Sequence, residues 1–248
     1  MLIDVHAHFL HDRTPRADWQ ARNASRLRAG ERVGITIHVA SILGSWGLTS
    51  PTYFPSLPDL RYANDSLLAL QRLHPARIRG YVTVNPNYAD EALAEIRRCL
   101  DAGMIGIKLA ASRRADDPLL DPICRLAVDR GVPILHHVWQ HRRRDYAGQE
   151  ASDARELGRL AARHPEARFL LAHIGGGGDW LHSLHAVRDV VNVHEVGGCV
   201  QFEFDGGDDE QVSLVSRLIA AGFPVLEFSA RRAGLEDLFI EITEGVAQ

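Results

Sequence analysis

Lysine is nearly missing from this chain. Of 28 basic residues only Lys108 is a lysine, and the rest are arginine. With a formal net charge of -4, the arginines read as genomic composition rather than as a surface for nucleic acid or an anionic membrane. Cysteine is scarce as well. Cys99, Cys124 and Cys199 lie far apart, which excludes a disulfide framework and a clustered thiolate metal site and suits a reducing cytoplasm. No apolar run approaches the ~20 residues of a membrane span. The first residues, Met-Leu-Ile-Asp-Val-His, have neither a basic run nor an apolar core, so no export leader is expected.

What remains is ordinary for a globular protein: 248 residues, 46% apolar and 24% charged. That length suits one large α/β domain, or a domain with a small appendage. Short β-type runs alternate with amphipathic helical stretches. The pattern predicts strands at Leu2–Val5, Ile35–Ile42, Ile78–Val84, Met104–Leu109, Val132–Val138 and Arg168–His173, and helices near 16–29, 59–73, 89–102, 119–130, 152–164 and 179–189. Asp90 is expected to cap the third helix and Asp153 to open the fifth, with Gly103 and Pro165 as stops. Runs such as Val132-Pro133-Ile134-Leu135 are apolar on both faces, as in a parallel sheet covered by helices. The alternation points to a TIM-like (β/α) barrel or a doubly wound sheet. The long connection from Gly44 to Pro58 carries Trp46, Tyr53 and Phe54, and it is expected to act as a substrate lid or to pack as a plain loop.

After about residue 190 the rhythm breaks. Asn192–Val196 and Cys199–Phe204 are expected as two strands joined at Gly197-Gly198, followed by a helix near 210–221, a strand at Pro224–Phe228 and a last helix from about Leu235.

The chemistry lies in the histidines. Asp4-Val5-His6-Ala7-His8 ends the first predicted strand. Side chains two apart on a strand share a face, so His6 and His8 can chelate one divalent ion at a barrel mouth. Two further predicted strands also end in histidine, at His136-His137 and at His173. His74, His164 and His182 fall on helix ends or surfaces and carry no such role. Neutral imidazoles favour Zn²⁺ before Mn²⁺ or Fe²⁺. Three protein ligands and an open position would activate a bound water, with a carboxylate on a further strand end as its neighbour.

These motifs resemble the amidohydrolase superfamily. The D-x-H-x-H, Gly106-Ile107-Lys108-Leu109, the H-H strand end and Ala172–Trp180 (A-H-I-G-G-G-G-D-W) are similar to the branch that contains aminocarboxymuconate-semialdehyde decarboxylase. The resemblance covers about residues 1–192. It implies a (β/α)₈ barrel, one divalent metal, usually zinc, and hydrolysis or decarboxylation of a small organic acid, ester, lactone or amide through metal-bound water. It assigns His6, His8 and His137 as metal ligands and His173 as the catalytic histidine, turns His136 toward the helix layer, and leaves Lys108 structural or substrate-facing.

One expected part is absent. Where the family has an eighth-strand Asp, this chain reads Leu226-Glu227-Phe228-Ser229-Ala230. Glu227 is on the opposite strand face from Ala230, and no motif supports Asp205 or Asp208. From about residue 187 to 248 the segments Val200–Phe204, Ala221–Val225 and Gly234–Phe239 resemble the accessory C-terminal region of ABC-transporter ATPase subunits, without a P-loop of their own. The expected layout is therefore a barrel portion over 1–190, incomplete by about two strands, and an α+β tail over 191–248, joined near Arg188–His194. The tail would close the barrel, or the open sheet would pair with a second copy. A metal-binding but inactive relative, and an interaction module that docks on a transporter, stand beside the enzyme as readings. The Trp139–Arg144 stretch is expected as a solvated loop or a carboxylate-binding one.

Overall fold

The computed structural model describes residues 1–138, 154–175, 193–196, 199–202, 212–216 and 219. The chain divides into two compact units, Met1–Gln201 and Phe202–Gln248. In the second, residues 212–216 and 219 are helical. The rest of the tail, including Asp205, Asp208, Glu227 and Ala230, lies outside the described residues, as do Asp153, the helix expected at 179–189 and the Trp139–Arg144 stretch.

The first unit is built on a six-stranded sheet: β1 (Leu2–His8), β2 (Ile35–Ser41), β3 (Ile78–Val84), β4 (Gly106–Leu109), β5 (Ile134–His136) and β6 (Phe169–Leu171). They pair in sequence order and all in parallel. The connections carry α1 (Trp19–Arg32), α2 (Leu57–Leu73), α3 (Ala89–Asp101), α4 (Asp121–Arg130) and α5 (Ala154–Arg163). This is the curled sheet of an incomplete TIM-like barrel, as the β/α alternation predicts. Parallel strands need a crossover each time, and the helices supply it.

Alternation along the strands sorts side chains into two layers. Ala40, Val82, Ile107 and Ile134 join the large core under the helices. Val39, Tyr81 and Leu135 form a smaller cluster on the other, inner face. Lys108 is in register with Thr83 on one side and Leu135 on the other, so it belongs to the inner face, where it is fully buried.

One expectation is corrected. Asp90 sits in the first turn of α3 rather than at its cap, which is Tyr88 and makes no side-chain bond. Asp90 still favours the helix N-terminus through the dipole. The tail strands β7 (Val193–Val196) and β8 (Cys199–Phe202) pair with each other in a sheet of two, as the Gly197-Gly198 connection predicts, and neither joins the six-stranded sheet. A two-residue connection favours that mutual pairing. β1 and β6 therefore remain sheet edges among the described residues. On β1, Ile3 and Val5 are 39% and 47% exposed, although Ala7 and Phe9 on the same alternating set are buried.

The sheet opens between β2 and β3. Their pairing ends at Ala40 and Gly80. Beyond that point the buried side chain of Asn64, on α2, takes over the ladder. Its amide oxygen accepts the Thr83 N–H at 3.0 Å, and its NH₂ donates to the Thr83 carbonyl at 3.1 Å and to Glu95 on α3 at 3.0 Å. Asn85 Nδ2 donates to the Pro55 carbonyl at 3.2 Å. The Asn85 contact ties the 44–58 loop to the C-terminal end of β3.

Where β3 and β4 meet, the backbones require glycine. A Cβ at Gly106 would stand 2.7 Å from the Tyr81 ring and 2.9 Å from the Pro133 carbonyl oxygen. At Gly80 the nearest atom, 3.0 Å away, belongs to the flexible Met104 side chain. Gly106→Ala is expected to cost about 2 kcal/mol as an overpacked site, and Gly80→Ala markedly less. Denaturant unfolding of both variants checks this, and equal losses would contradict it.

Candidate functional site

The C-terminal ends of β1, β2, β4, β5 and β6 bring a set of polar side chains together. The segment after β1 is fixed by Asn23 of α1. Its NH₂ donates to the Leu10 carbonyl at 2.8 Å, and its oxygen accepts the Leu10 N–H at 3.0 Å. Asp4 works from the other end. One carboxylate oxygen accepts the His6 backbone N–H at 3.1 Å, and the other meets Nδ1 of the buried His38 at 3.0 Å. The sheet register slips between Asp4 and Ala7, yet His6 and His8 stay adjacent, with ring centroids 4.9 Å apart in an edge arrangement.

The His173 ring lies 4.9 Å from that of His6 and 4.7 Å from that of His137. His137 thus meets the group through His173. His137 follows Leu135 of the inner cluster at the two-residue period. His136 is out of phase with it, fully buried, with Nδ1 2.9 Å from the His137 carbonyl oxygen.

Two of the rings have assigned orientations. His173 Nδ1 is 2.9 Å from the Val138 carbonyl oxygen. A carbonyl can only accept, so Nδ1 carries the proton and Nε2 keeps its lone pair. His8 Nδ1 lies 3.0 Å from Ser41 Oγ and 3.4 Å from the Ser41 carbonyl oxygen, which leaves its Nε2 for a ligand. Outer hydrogen bonds of this kind orient metal-binding imidazoles.

The environment keeps the rings neutral. Burial, then the charges of Lys108 and His173, pushes His6 down to about 3, against the opposing Asp4. Burial and Lys108 take His8 well below its usual range. His137 is pushed down to about 2 by burial and by Lys108. His173 is lowered for the same two reasons, against the Val138 hydrogen bond. Lys108 itself is pushed down to about 7 by burial. Its Nζ lies 3.3 Å from His6 Nε2.

The 44–58 loop adds two aromatic rings, Trp46 edge-on to His8 at 5.4 Å and Tyr53 tilted against His137 at 5.1 Å. Trp46, Ala111 and His173 all adopt positive φ, at 54°, 63° and 60°. Each follows a strand end, and left-handed backbone in non-glycine residues concentrates at functional sites.

Asp59 ties the loop down. It accepts Thr49 Oγ1 on both oxygens at 2.7 Å, and also Ser50 Oγ. Burial raises its pKa, but the Ser50 and Thr49 hydroxyls outweigh that and hold it below the ordinary value. A depressed carboxylate stabilises above its unfolded pKa, about 3.9, and that support is lost as pH falls through the folded value. The amide resonances of Thr49 and Ser50 are therefore expected to move only below about pH 4. Asp59→Asn is expected to raise hydrogen exchange across 45–58 at pH 7; unchanged exchange would contradict this anchoring.

The donor chemistry fits a borderline divalent ion. Two imidazoles on one tetrahedral ion, with nitrogens about 2.0–2.1 Å from it, bring their centroids to roughly 5 Å, as in the His6–His8 pair at 4.9 Å. Among the described residues, however, no group of three or more His, Cys, Asp or Glu side chains is already gathered to hold a metal. Lys108 stands against His6 instead. Sequence alone pointed to the histidines and to the aromatic loop. It gave no signal for Ser41, Val138 or the Asp4–His38 pair, because each meets its histidine only through the sheet register or a ring orientation.

The chain matches the family model described as Amidohydrolase over residues 3–224. The match runs past residue 192, so most of the segment expected to switch to the transporter-ATPase pattern follows the amidohydrolase one, and the ATPase-like tail finds no support. A search of curated proteins returns no match. Solved structures show the same fold. The 5-carboxyvanillate decarboxylase of Sphingomonas paucimobilis is 20% identical, with a TM-score of 0.52, covering 70% of this chain and 68% of its own. The 2,6-dihydroxybenzoate decarboxylase of Rhizobium is 17% identical, with a TM-score of 0.51 and coverages of 89% and 84%. A dihydroxybenzoic acid decarboxylase from Polaromonas, with bound manganese and 2-nitroresorcinol, is 17% identical, with a TM-score of 0.54 and coverages of 89% and 83%.

Proposed function

The chain belongs to the amidohydrolase family, and on that footing we propose that it is a metal-dependent enzyme that decarboxylates or hydrolyses a small organic acid or a related ester, lactone or amide. The observation that carries this is the convergence of four imidazoles, all depressed in pKa, from β1 and from the ends of β5 and β6. His6, His8 and His137 are the residues that would hold the ion. The imidazole set favours zinc, while solved structures of more than one relative hold manganese. When bound, the ion supplies Lewis acidity toward a substrate oxygen or toward water.

The chain's own groups do the rest. Ser41 fixes the His8 ring and leaves Nε2 as its donor atom. The Val138 carbonyl holds the proton on His173 Nδ1, so His173 Nε2 is the atom that takes a proton from substrate and returns it. In a decarboxylation the carbon–carboxylate bond breaks and CO₂ leaves. The bonding pair stays on the carbon, which then takes up that proton. Trp46 and Tyr53 present ring faces and edges beside the imidazoles, which suits a planar ring. The decarboxylases among the structural relatives carry names of aromatic acids, and an aromatic carboxylic acid is accordingly the first substrate class to test.

The test loads the purified chain with Zn²⁺ or Mn²⁺, measures bound metal by mass spectrometry, and follows CO₂ release from hydroxybenzoates and hydrolysis of esters, lactones and amides. Metal-dependent turnover of an aromatic acid is the expected result. A chain that takes up no metal, or a loaded chain inert toward every class, would overturn the proposal.

A further inference from the structure

Lys108 is the only lysine in 248 residues, and it is fully buried on the inner face of the sheet. A buried ammonium without a counter-charge is costly. Among the described residues its polar contact is with His6, Nζ to Nε2, at 3.3 Å. The contact joins β4 to β1 across 102 residues of sequence, so it is a product of the curled sheet. With the lysine donating, the contact occupies the Nε2 lone pair, which would then be closed to a metal.

We infer that Lys108 is a built-in competitor for the divalent ion, and that its amine must leave His6 Nε2 before His6 can act as a ligand. This rests on the metal reading of the histidines. The argument is geometric. A nitrogen lone pair serves either an N–H donor or a metal, never both. An ion bound to His6 Nε2 sits about 2.0–2.1 Å from that nitrogen along the lone pair, in the space in front of which Nζ now stands. Two cations at such separation inside a protein repel strongly. In the metal-free protein the same contact has a use, since it satisfies an imidazole nitrogen that would otherwise face the interior unpaired. Thr83, level with Lys108 on β3, has a buried hydroxyl with no partner among the described residues. The displaced amine would thus find an acceptor on its own layer.

The test compares Zn²⁺ affinity of the full chain with that of Lys108→Met, by competition against a chromogenic chelator at one fixed pH. Methionine keeps length and volume and removes the donor and the charge. The expected result is about tenfold tighter binding in the variant. Equal or weaker binding by Lys108→Met overturns the inference while leaving the histidine site intact. If neither protein binds zinc, the metal reading itself fails and this inference with it. A second measurement does not depend on the variant folding. With ¹³C-lysine the wild-type chain gives one lysine side-chain signal set, from Lys108. Saturating Zn²⁺ is expected to shift its Cε resonance, and the shift should vanish in His6→Ala. An unmoved resonance in zinc-saturated wild type would equally overturn the competition.

Discussion

Replacing both His6 and His8 with alanine is expected to abolish stoichiometric zinc or manganese binding and to bring turnover on any substrate found to the level of the metal-free chain. The two rings stand 4.9 Å apart on one rigid strand. Removing both takes away a pair of imidazoles that local sequence alone places side by side. If these are two of three ligands, as proposed, their loss lowers affinity by far more than the 10–100-fold typical of outer-shell changes. His173→Ala separates the roles. Its Nδ1 is committed to the Val138 carbonyl, and it is cast as proton carrier. Metal binding should therefore persist within a few-fold, while kcat falls by roughly 10²–10⁴. Metal analysis and steady-state kinetics on the same preparations check both. If the double variant still bound one equivalent of metal at wild-type affinity, the ion would be elsewhere.

The second large effect concerns stability. Asn64→Leu is expected to cost about 3 kcal/mol, since it leaves the Thr83 N–H and carbonyl without their partner inside the protein and takes a hydrogen bond from Glu95. For a chain of this size that corresponds to a Tm lower by roughly 6–12 °C. The size and apolarity of leucine suit the site, so the loss measures hydrogen bonding rather than a cavity. Asn64→Asp keeps an acceptor for the Thr83 N–H but faces Glu95 with a second carboxylate. It should also be destabilised, and part of that loss should return in the double variant Asn64→Asp, Glu95→Gln. Thermal unfolding of the three variants decides this. A loss under about 1 kcal/mol for Asn64→Leu would mean that water or a strand shift replaces the amide.

The same comparison separates features written locally from features that arise at a distance. All strands of the six-stranded sheet fall where the apolar runs place them, with ends shifted by a few residues. β5 is shorter than expected, Ile134–His136 against Val132–Val138. Strand pairing begins only after Pro133, which has no N–H to give. The transporter-like reading of the tail rests above all on Gly234-Leu235-Glu236-Asp237-Leu238-Phe239, with Val200–Phe204 and Ala221–Val225 beside it. The last two are short apolar runs of a kind that recurs in any α/β chain, and the amidohydrolase match, which extends to residue 224, runs through Val200–Phe204 and into Ala221–Val225.

By itself the sequence determined the alternation of strand and helix, the parallel sheet that this alternation forces, and the placing of His6, His8, His137 and His173 at or just beyond strand ends. These follow from two short-range periodicities and from residues next to each other in the chain. Only the tertiary structure decided which groups those histidines meet. Lys108 reaches His6 across the curl of the sheet, Asn64 takes up the β3 backbone beyond its pairing with β2, and Trp46 and Tyr53 stand against His8 and His137. Each of these joins residues distant in sequence, and each depends on register and sheet curvature, which no local pattern encodes.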